Sequence, residues 1–254
     1  MKVNVKARIV MASALLLLGG QAQAAGNWDL MIEPYVLATS IEGDASVGRI
    51  GGVEVDVDFD TILDNLDFGL MLHGEAIHAS GWGVMLDYGL MDLKGDKGNG
   101  RGGVADARIK QAVTELALMY RMPLGDGETW DIFVGARHWE NELRLKLVPA
   151  GPALDQVTLR NEPNWTDAFL GGRYTMPFSD NWAWYMYADI GAGDSDFTGT
   201  LRAGLDYSFN ETWELELGYK GLWVDYEEGR MGTPGSFAYD TVTHGPLVGL
   251  KIHF

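Results

Sequence analysis

The sequence has no cysteine, few basic residues and no long apolar run beyond its first 24 residues. The lack of cysteine excludes disulfides, thiolate metal ligands and a thiol nucleophile. Only 19 Lys and Arg oppose 36 Asp and Glu, and the resulting net charge of −17 argues against nucleic acid as a partner. Because no later segment reaches ~18 consecutive apolar residues, we expect no transmembrane helix.

Residues 1–24 have the pattern of a cleaved signal peptide. Two lysines and an arginine precede the apolar run ALLLLGG, and an Ala-x-Ala sequence ends at residue 24. The apolar run is too short to cross a bilayer comfortably. The sequence therefore predicts export by the Sec pathway and one mature domain over residues 25–254.

Aromatic residues are abundant, with 9 Trp, 10 Tyr and 9 Phe, and many lie where apolar and polar residues alternate. The clearest alternating segments are WDLMIEPYVLA (28–38), WGVMLDYGL (82–90), WDIFVGARHW (130–139), WAWYMYADIG (182–191) and WELELGYKGLW (213–223). This period of two is typical of strands with one apolar face. The sequence therefore predicts an all-β protein.

Short polar turns precede four tryptophans that begin predicted strands. The other connections are mostly longer and lie near residues 42–65, 94–107, 146–157 and 226–237, with a short one near 192–196. The short-turn side carries the aromatic residues of the apolar face, which are Trp28, Trp82, Tyr120, Trp130, Tyr174, Trp182, Tyr207 and Trp213. We interpret them as an aromatic girdle at one membrane interface, with short periplasmic turns there and longer extracellular loops opposite.

The predicted fold is a single antiparallel transmembrane β-barrel of about ten strands. The strands are expected near 27–41, 66–78, 82–93, 108–122, 129–145, 158–175, 182–192, 196–209, 212–226 and 238–254. An even number places both termini on the short-turn side, as in bacterial barrels. Residues 53–59 are expected to extend the first loop above the membrane, and eight or twelve strands remain alternatives.

The segment GPLVGLKIHF (245–254) alternates in polarity up to a terminal phenylalanine. In lipid every backbone polar group must be paired, so the last strand of a barrel closes on the first. The segment is typical of such a closing strand. Phe254 also resembles the signal that outer-membrane barrels present to the barrel-assembly machinery.

The polar face of the predicted strands is expected to line the barrel interior, and its acidic residues outnumber its basic ones. The candidate lumen-lining residues are Glu75, Asp87, Glu115, Arg121, Asp131, Arg137, Asp167, Arg173, Asp189, Arg202, Asp206, Glu216 and Lys220. We expect Arg121 to meet Asp131 across a turn, and Lys251 to lie near Asp29 or Glu33. Two interpretations stay open: a packed network that fixes the register, or a narrow pore that weakly prefers cations.

The acidic segment DVDFDTILDNLD (56–67) has part of the spacing of a calcium loop. Thr61 occupies the position of the required glycine, and Asp67 that of the usual bidentate glutamate. A strand followed by a short helical turn explains the same residues. Loose divalent bridging to lipopolysaccharide is an alternative, whereas the glycine-rich segment 95–103 is expected to be a surface loop. No metal site and no cofactor are predicted.

No histidine lies in a sequence context typical of hydrolases. The five histidines are His73, His78, His138, His244 and His253. His244 with Asp240 is the only local pairing that resembles part of an Asp/His site. We therefore expect no enzymatic activity, with an outer-membrane hydrolase as the remote alternative.

Five segments resemble a broad and mostly uncharacterised family of proteobacterial outer-membrane β-barrels, the porin-family proteins, which are loosely akin to the OmpW and OmpA-barrel groups. They are ILDNLDFGLMLHGEA (62–76), WTDAFLGGRY (165–174), ADIGAGDSDF (188–197), GYKGLWVDYE (218–227) and GPLVGLKIHF (245–254). The resemblance implies the barrel fold and the outer membrane. It implies no substrate and no catalytic residue.

Three functions follow from these expectations. The first is a narrow porin-like channel for the passive passage of small solutes. The second is a non-conducting barrel that is structural or binds something at the surface, and the third is the hydrolase. In each case the expected partners are outer-membrane lipid, lipopolysaccharide and the barrel-assembly machinery.

Overall fold

The computed structural model describes residues 26–47, 50–98, 104–148, 157–233 and 235–254, so the predicted signal peptide lies outside the described residues. Strands dominate these ranges, together with one short helix. The elements are β1 (Trp28–Leu37), β2 (Ser40–Val47), β3 (Ile50–Val57), α1 (Phe59–Asn65), β4 (Leu66–His78), β5 (Trp82–Gly98), β6 (Val104–Gly125), β7 (Glu128–Val148), β8 (Val157–Asn161), β9 (Asn164–Pro177), β10 (Trp182–Gly193), β11 (Phe197–Ser208), β12 (Trp213–Glu228) and β13 (Phe237–His253). Helices long and apolar enough to cross a membrane do not occur in these ranges.

Ten strands form a closed antiparallel barrel, as predicted. Their order is β1-β4-β5-β6-β7-β9-β10-β11-β12-β13, and β13 pairs again with β1. The N–H of Phe254 donates to the carbonyl of Leu30 at 3.0 Å and so continues this closing contact. The three remaining strands, β2, β3 and β8, lie outside this closed circuit.

Apolar side chains form the outer surface of the barrel because each strand alternates in polarity. Exposed examples on different strands are Leu86, Leu118, Val134, Leu170, Leu201 and Leu217. A continuous apolar surface of this size is unfavourable in water and favourable in a bilayer. The fold is therefore that of a transmembrane β-barrel.

Aromatic pairs surround the short-turn end of the barrel. Trp82 packs on Tyr120 with ring centroids 5.1 Å apart, and Trp182 packs on Tyr207 at 4.8 Å. Trp130 and Tyr174 form a third pair at 6.1 Å. The other predicted girdle residues are Trp28, beside His78, and Trp213, at the start of β12. These rings mark the level of the periplasmic interface.

The long-loop side differs from the prediction at one connection. β5 continues to Gly98 and β6 begins at Val104, so strands replace much of the predicted loop near 94–107. β7 ends at Val148 and β8 begins at Val157, close to the two ends of the predicted loop near 146–157. The predicted strand 158–175 is two strands, β8 and β9, with Pro163 in the break. Proline interrupts the ladder because it has no N–H to donate.

The predicted first strand 27–41 continues further than expected. After a break at Ala38 and Thr39, β2 extends the line of β1 and pairs with the upper part of β13. β3 pairs only with β2 among the described strands, which confirms that residues 53–59 extend the first loop.

A short capped helix, rather than a calcium loop, follows β3. The backbone N–H of Thr61 donates to Asp58 at 2.8 Å, which caps the start of α1. Hydrogen bonds from Thr61 lower the pKa of the Asp58 carboxyl from its usual value. Groups of three or more acidic or histidine side chains suited to a metal ion do not occur in the described residues.

Candidate functional site in the barrel interior

The predicted lumen-lining side chains all face the inside of the barrel. Most of them are buried, namely Glu75, Asp87, Glu115, Asp131, Arg137, Asp167, Asp189, Arg202, Asp206, Glu216 and Lys220. Arg121 and Arg173 are partly exposed at the periplasmic end. Strand alternation brings these residues to one space, because every second residue of each strand points inward.

Arg137 is the centre of the first network. Its guanidinium contacts Glu115 at 2.8 Å and Asp189 at 2.9 Å. The hydroxyls of Thr198 and Thr200 each accept a further hydrogen bond from it at 2.8 Å. Two carboxylates and two hydroxyls therefore compensate one fully buried charge.

Arg173 is the centre of a second network towards the periplasm. It contacts Glu75 and Asp131, each at 2.6 Å. The predicted pairing of Arg121 with Asp131 is present, with Nε to Oδ1 at 2.8 Å. His73 contacts Glu75 at 3.0 Å and also contacts Asp87, so it bridges these two carboxylates.

A third network joins the last strands to β1. Arg202 contacts Glu33 at 3.0 Å and Glu216 at 2.5 Å. Lys251 contacts Asp206 at 2.7 Å and Glu214 at 3.1 Å. The register of β1 with β13 runs from Met31 opposite His253 to Leu37 opposite Leu247, so Lys251 also lies across from Glu33, as predicted.

Asp167 has a local role that its inward position did not reveal. Its Oδ1 accepts a hydrogen bond from the backbone N–H of Ser195 at 2.8 Å, which tightens the turn between β10 and β11. Its other oxygen is buried without a hydrogen-bond partner. Among the candidates it therefore acts on a turn and not in the ion-pair networks.

An aromatic cluster, which was not predicted, fills the extracellular half of the interior. Trp165 stacks on Trp139 at 5.3 Å and on Tyr226 at 4.1 Å. Phe237 packs beside them, and all four rings are buried. The sequence could have indicated this cluster. Trp139 is an even number of residues from Asp131 and Arg137 on the same strand, so it points inward with them. We call these four residues the aromatic plug.

Two cavities lie in the interior, a larger one below the aromatic plug and a smaller one beside it, where Val113 lines the cavity and packs against the plug. A cavity of about 230 Å³ occupies the periplasmic half, among the second and third networks, and reaches Gly127 and Thr129 at the rim. A smaller cavity of about 60 Å³ lies above it. Asp87, Glu115 and Lys220 line both cavities, and the Tyr35 hydroxyl contacts Asp87 and Lys220 in this shared wall.

His244 and Asp240 are not brought together as an Asp/His pair. Nδ1 of His244 lies 2.6 Å from the Tyr219 hydroxyl, and Nε2 lies 3.3 Å from Glu42. Asp240 lies four residues away on β13, where it is opposite Asp225 and Asp44. Four residues of strand correspond to ~13 Å, which is too far for a shared proton.

No family model and no curated protein matches the sequence. Solved structures match its fold. The outer membrane protease OmpT from Escherichia coli is 8% identical, with a TM-score of 0.53 over 91% of this chain and 98% of that chain. The translocator domain of the autotransporter NalP from Neisseria meningitidis is 12% identical, with a TM-score of 0.49 over 96% of this chain and 94% of that chain. At these identities the likeness shows the fold alone, which is that of an outer-membrane β-barrel.

Proposed function

We propose that this protein is an outer-membrane barrel that allows small solutes to pass through a narrow interior pathway. The observation that carries the proposal is a pair of neighbouring cavities that share Asp87, Glu115 and Lys220 in their walls. Rotation of these side chains can join the cavities without disturbing the strands. The proposal includes no catalytic activity.

The size and charge of this pathway limit what it transmits. A cavity of about 230 Å³ holds only a small molecule, and the one above it is smaller. Carboxylates outnumber basic groups among its candidate residues, which attracts cations and repels anions. The expected solutes are therefore small, and cations pass faster than anions.

The aromatic plug closes the extracellular side in the observed state. Trp139 and Trp165 are almost fully buried, and the rings stack across β7, β9, β12 and β13. Removing one large ring from the middle of the stack leaves a space that the remaining rings cannot fill without moving. The plug is therefore the expected limit on the passage of solutes.

Solute flux into liposomes tests this function. We expect slow, size-limited uptake of small solutes, with cations ahead of anions, and uptake several-fold faster for Trp165→Ala. Trp223→Ala is the matched control, because Trp223 is an exposed ring on the outer face. Equal flux in Trp165→Ala and the control, or no flux from any folded variant, contradicts the proposal.

A non-conducting structural barrel is the second candidate, and the pairing of interior charges favours it. Each inward arginine and lysine of the three networks has an acidic partner, and so does Lys220, which lies 3.6 Å from Asp87. Such networks fix register and exclude water. Absence of flux from every folded variant would support this candidate.

The location and partners belong to the same proposal. We propose export by the Sec pathway, insertion among outer-membrane lipid and lipopolysaccharide, and recognition of Phe254 by the barrel-assembly machinery. The apolar outer surface and the periplasmic aromatic girdle support the membrane location. No nucleic acid partner is included.

A further inference from the structure

The ladder between β1 and β4 is incomplete. It runs from Trp28 opposite His78 to Pro34 opposite Leu72 and stops there. Above that point β1 and β2 stay paired with β13, and β4 stays paired with β5. Residues 35–40 on one side and 66–71 on the other therefore have no strand partner across the gap, within the described strands. We call this gap the β1–β4 window.

The window lies at the depth of the outer leaflet. Pro34 and Leu72 are six residues above the girdle level of Trp28 and His78. A tilted strand rises about 2.6 Å per residue, so the window begins about 15 Å above the girdle and below the top of an apolar band of about 25 Å. Open strand edges facing hydrocarbon are costly, so an occupant or a cover is required.

Apolar side chains surround the outside of the window. Val36, on the outer face of β1, is 68% exposed, and Phe68 on β4 is also exposed. Above them α1 spans the top, with Ile62 buried against Ile41 and Met91. Leu63 on the same helix remains exposed. The surface here is suited to hydrocarbon and not to a polar solute.

The smaller cavity lies behind the window. Its walls include Leu37 and Met71 from the two window edges, and Met91 and Leu222 from the nearby strands β5 and β12. Its floor is the charged wall shared with the larger cavity. A mainly apolar space of about 60 Å³ has room for the last few methylene groups of an unbranched alkyl chain, whose polar end stays outside the window.

We propose that the β1–β4 window admits the end of the alkyl chain of a single-chain amphiphile from the outer leaflet into this cavity. Transport of the amphiphile to the periplasm through the window rests on the proposed channel function. Binding of the amphiphile in the cavity depends only on the window and the cavity. Binding and flux therefore need separate measurements.

Quenching by brominated lipid tests the opening, because the native chain has no cysteine to interfere with a single label. Bimane is attached to Met71→Cys behind the window, to Met186→Cys on the exposed outer face, and to Thr175→Cys in the larger cavity. With bromine on the acyl chains, we expect strong quenching at positions 71 and 186 and little at 175. Quenching at position 71 no stronger than at 175 overturns the proposal.

Filling the cavity tests the binding site. A Cβ at Gly89 meets nothing within 4 Å, and Gly89 lines the cavity, so Gly89→Leu places its side chain in this space. Each buried methylene strengthens binding about fourfold, so excluding two weakens binding roughly fifteenfold. The readout is the titration of bimane at Met71→Cys with an ω-brominated fatty alcohol.

Ala188→Leu is the matched control, because it adds the same side chain to the exposed outer face. We expect it to leave the titration unchanged. Equal affinity in Gly89→Leu and Ala188→Leu overturns the site. Binding without solute flux in any variant supports the site and contradicts the channel function. Solute flux without binding supports the channel function and contradicts the site.

Discussion

Arg137→Met is expected to lower the free energy of unfolding by about 3–5 kcal/mol. The arginine side chain is 0% exposed and is the basic partner of Glu115 and Asp189 at the centre of the barrel. Without it two carboxylates stay buried close together with no compensating charge. Urea unfolding of the refolded barrel in lipid measures the loss.

Arg144→Met is the control for this prediction. Arg144 pairs with Glu142 on an extended hairpin, and its side chain is 42% exposed. Exposed pairs contribute at most about 1 kcal/mol, because water screens the charges. Comparable losses in the two variants would mean that Arg137 is hydrated and that the interior is wetter than its burial indicates.

Leu217→Arg is expected to lower the free energy of unfolding by roughly 2–4 kcal/mol. Leu217 is 42% exposed on the outer face of β12, four residues above Trp213 at the periplasmic end. A charged side chain at that depth must leave water for hydrocarbon. Equilibrium unfolding from bilayers of known thickness measures the effect.

Leu124→Arg makes the same change at the edge of the membrane. Leu124 is exposed beyond the girdle level of Tyr120, near the turn between β6 and β7. The expected cost is about 0–1 kcal/mol, because arginine reaches water there. An equal cost at both positions would mean that β12 does not face lipid.

The barrel itself was predictable because strand alternation is a local property. The tryptophans that begin strands mark the short turns, and the count of ten follows from the turns between them. The break at Pro163 was missed, although proline signals it. The continuation of β1 into β2 was not predictable, since it depends on how far β13 extends beyond the membrane.

The sequence indicated which side chains face the interior better than it indicated which of them are in contact. Arg121 and Asp131 were paired correctly because they are opposite each other across one turn. Lys251 was placed correctly near Glu33, because the last strand closes on the first. Its contacts with Asp206 and Glu214 were not predicted, since the tilt of the strands decides which side chains meet across the barrel. Arg202 meets Glu33, which is 169 residues away in the chain, and no local pattern indicates that contact.

The two neighbours of β1 in the barrel are paired with it over unequal lengths. β1 and β2 together follow β13 from His253 to Phe237, whereas only the lower part of β1 holds β4. The N-terminal strand therefore belongs structurally to the C-terminal half of the chain. At the periplasmic end β1 joins the two halves through its ladder with β4, whereas at the other end α1 joins them through Ile62, which packs against Ile41 and Met91.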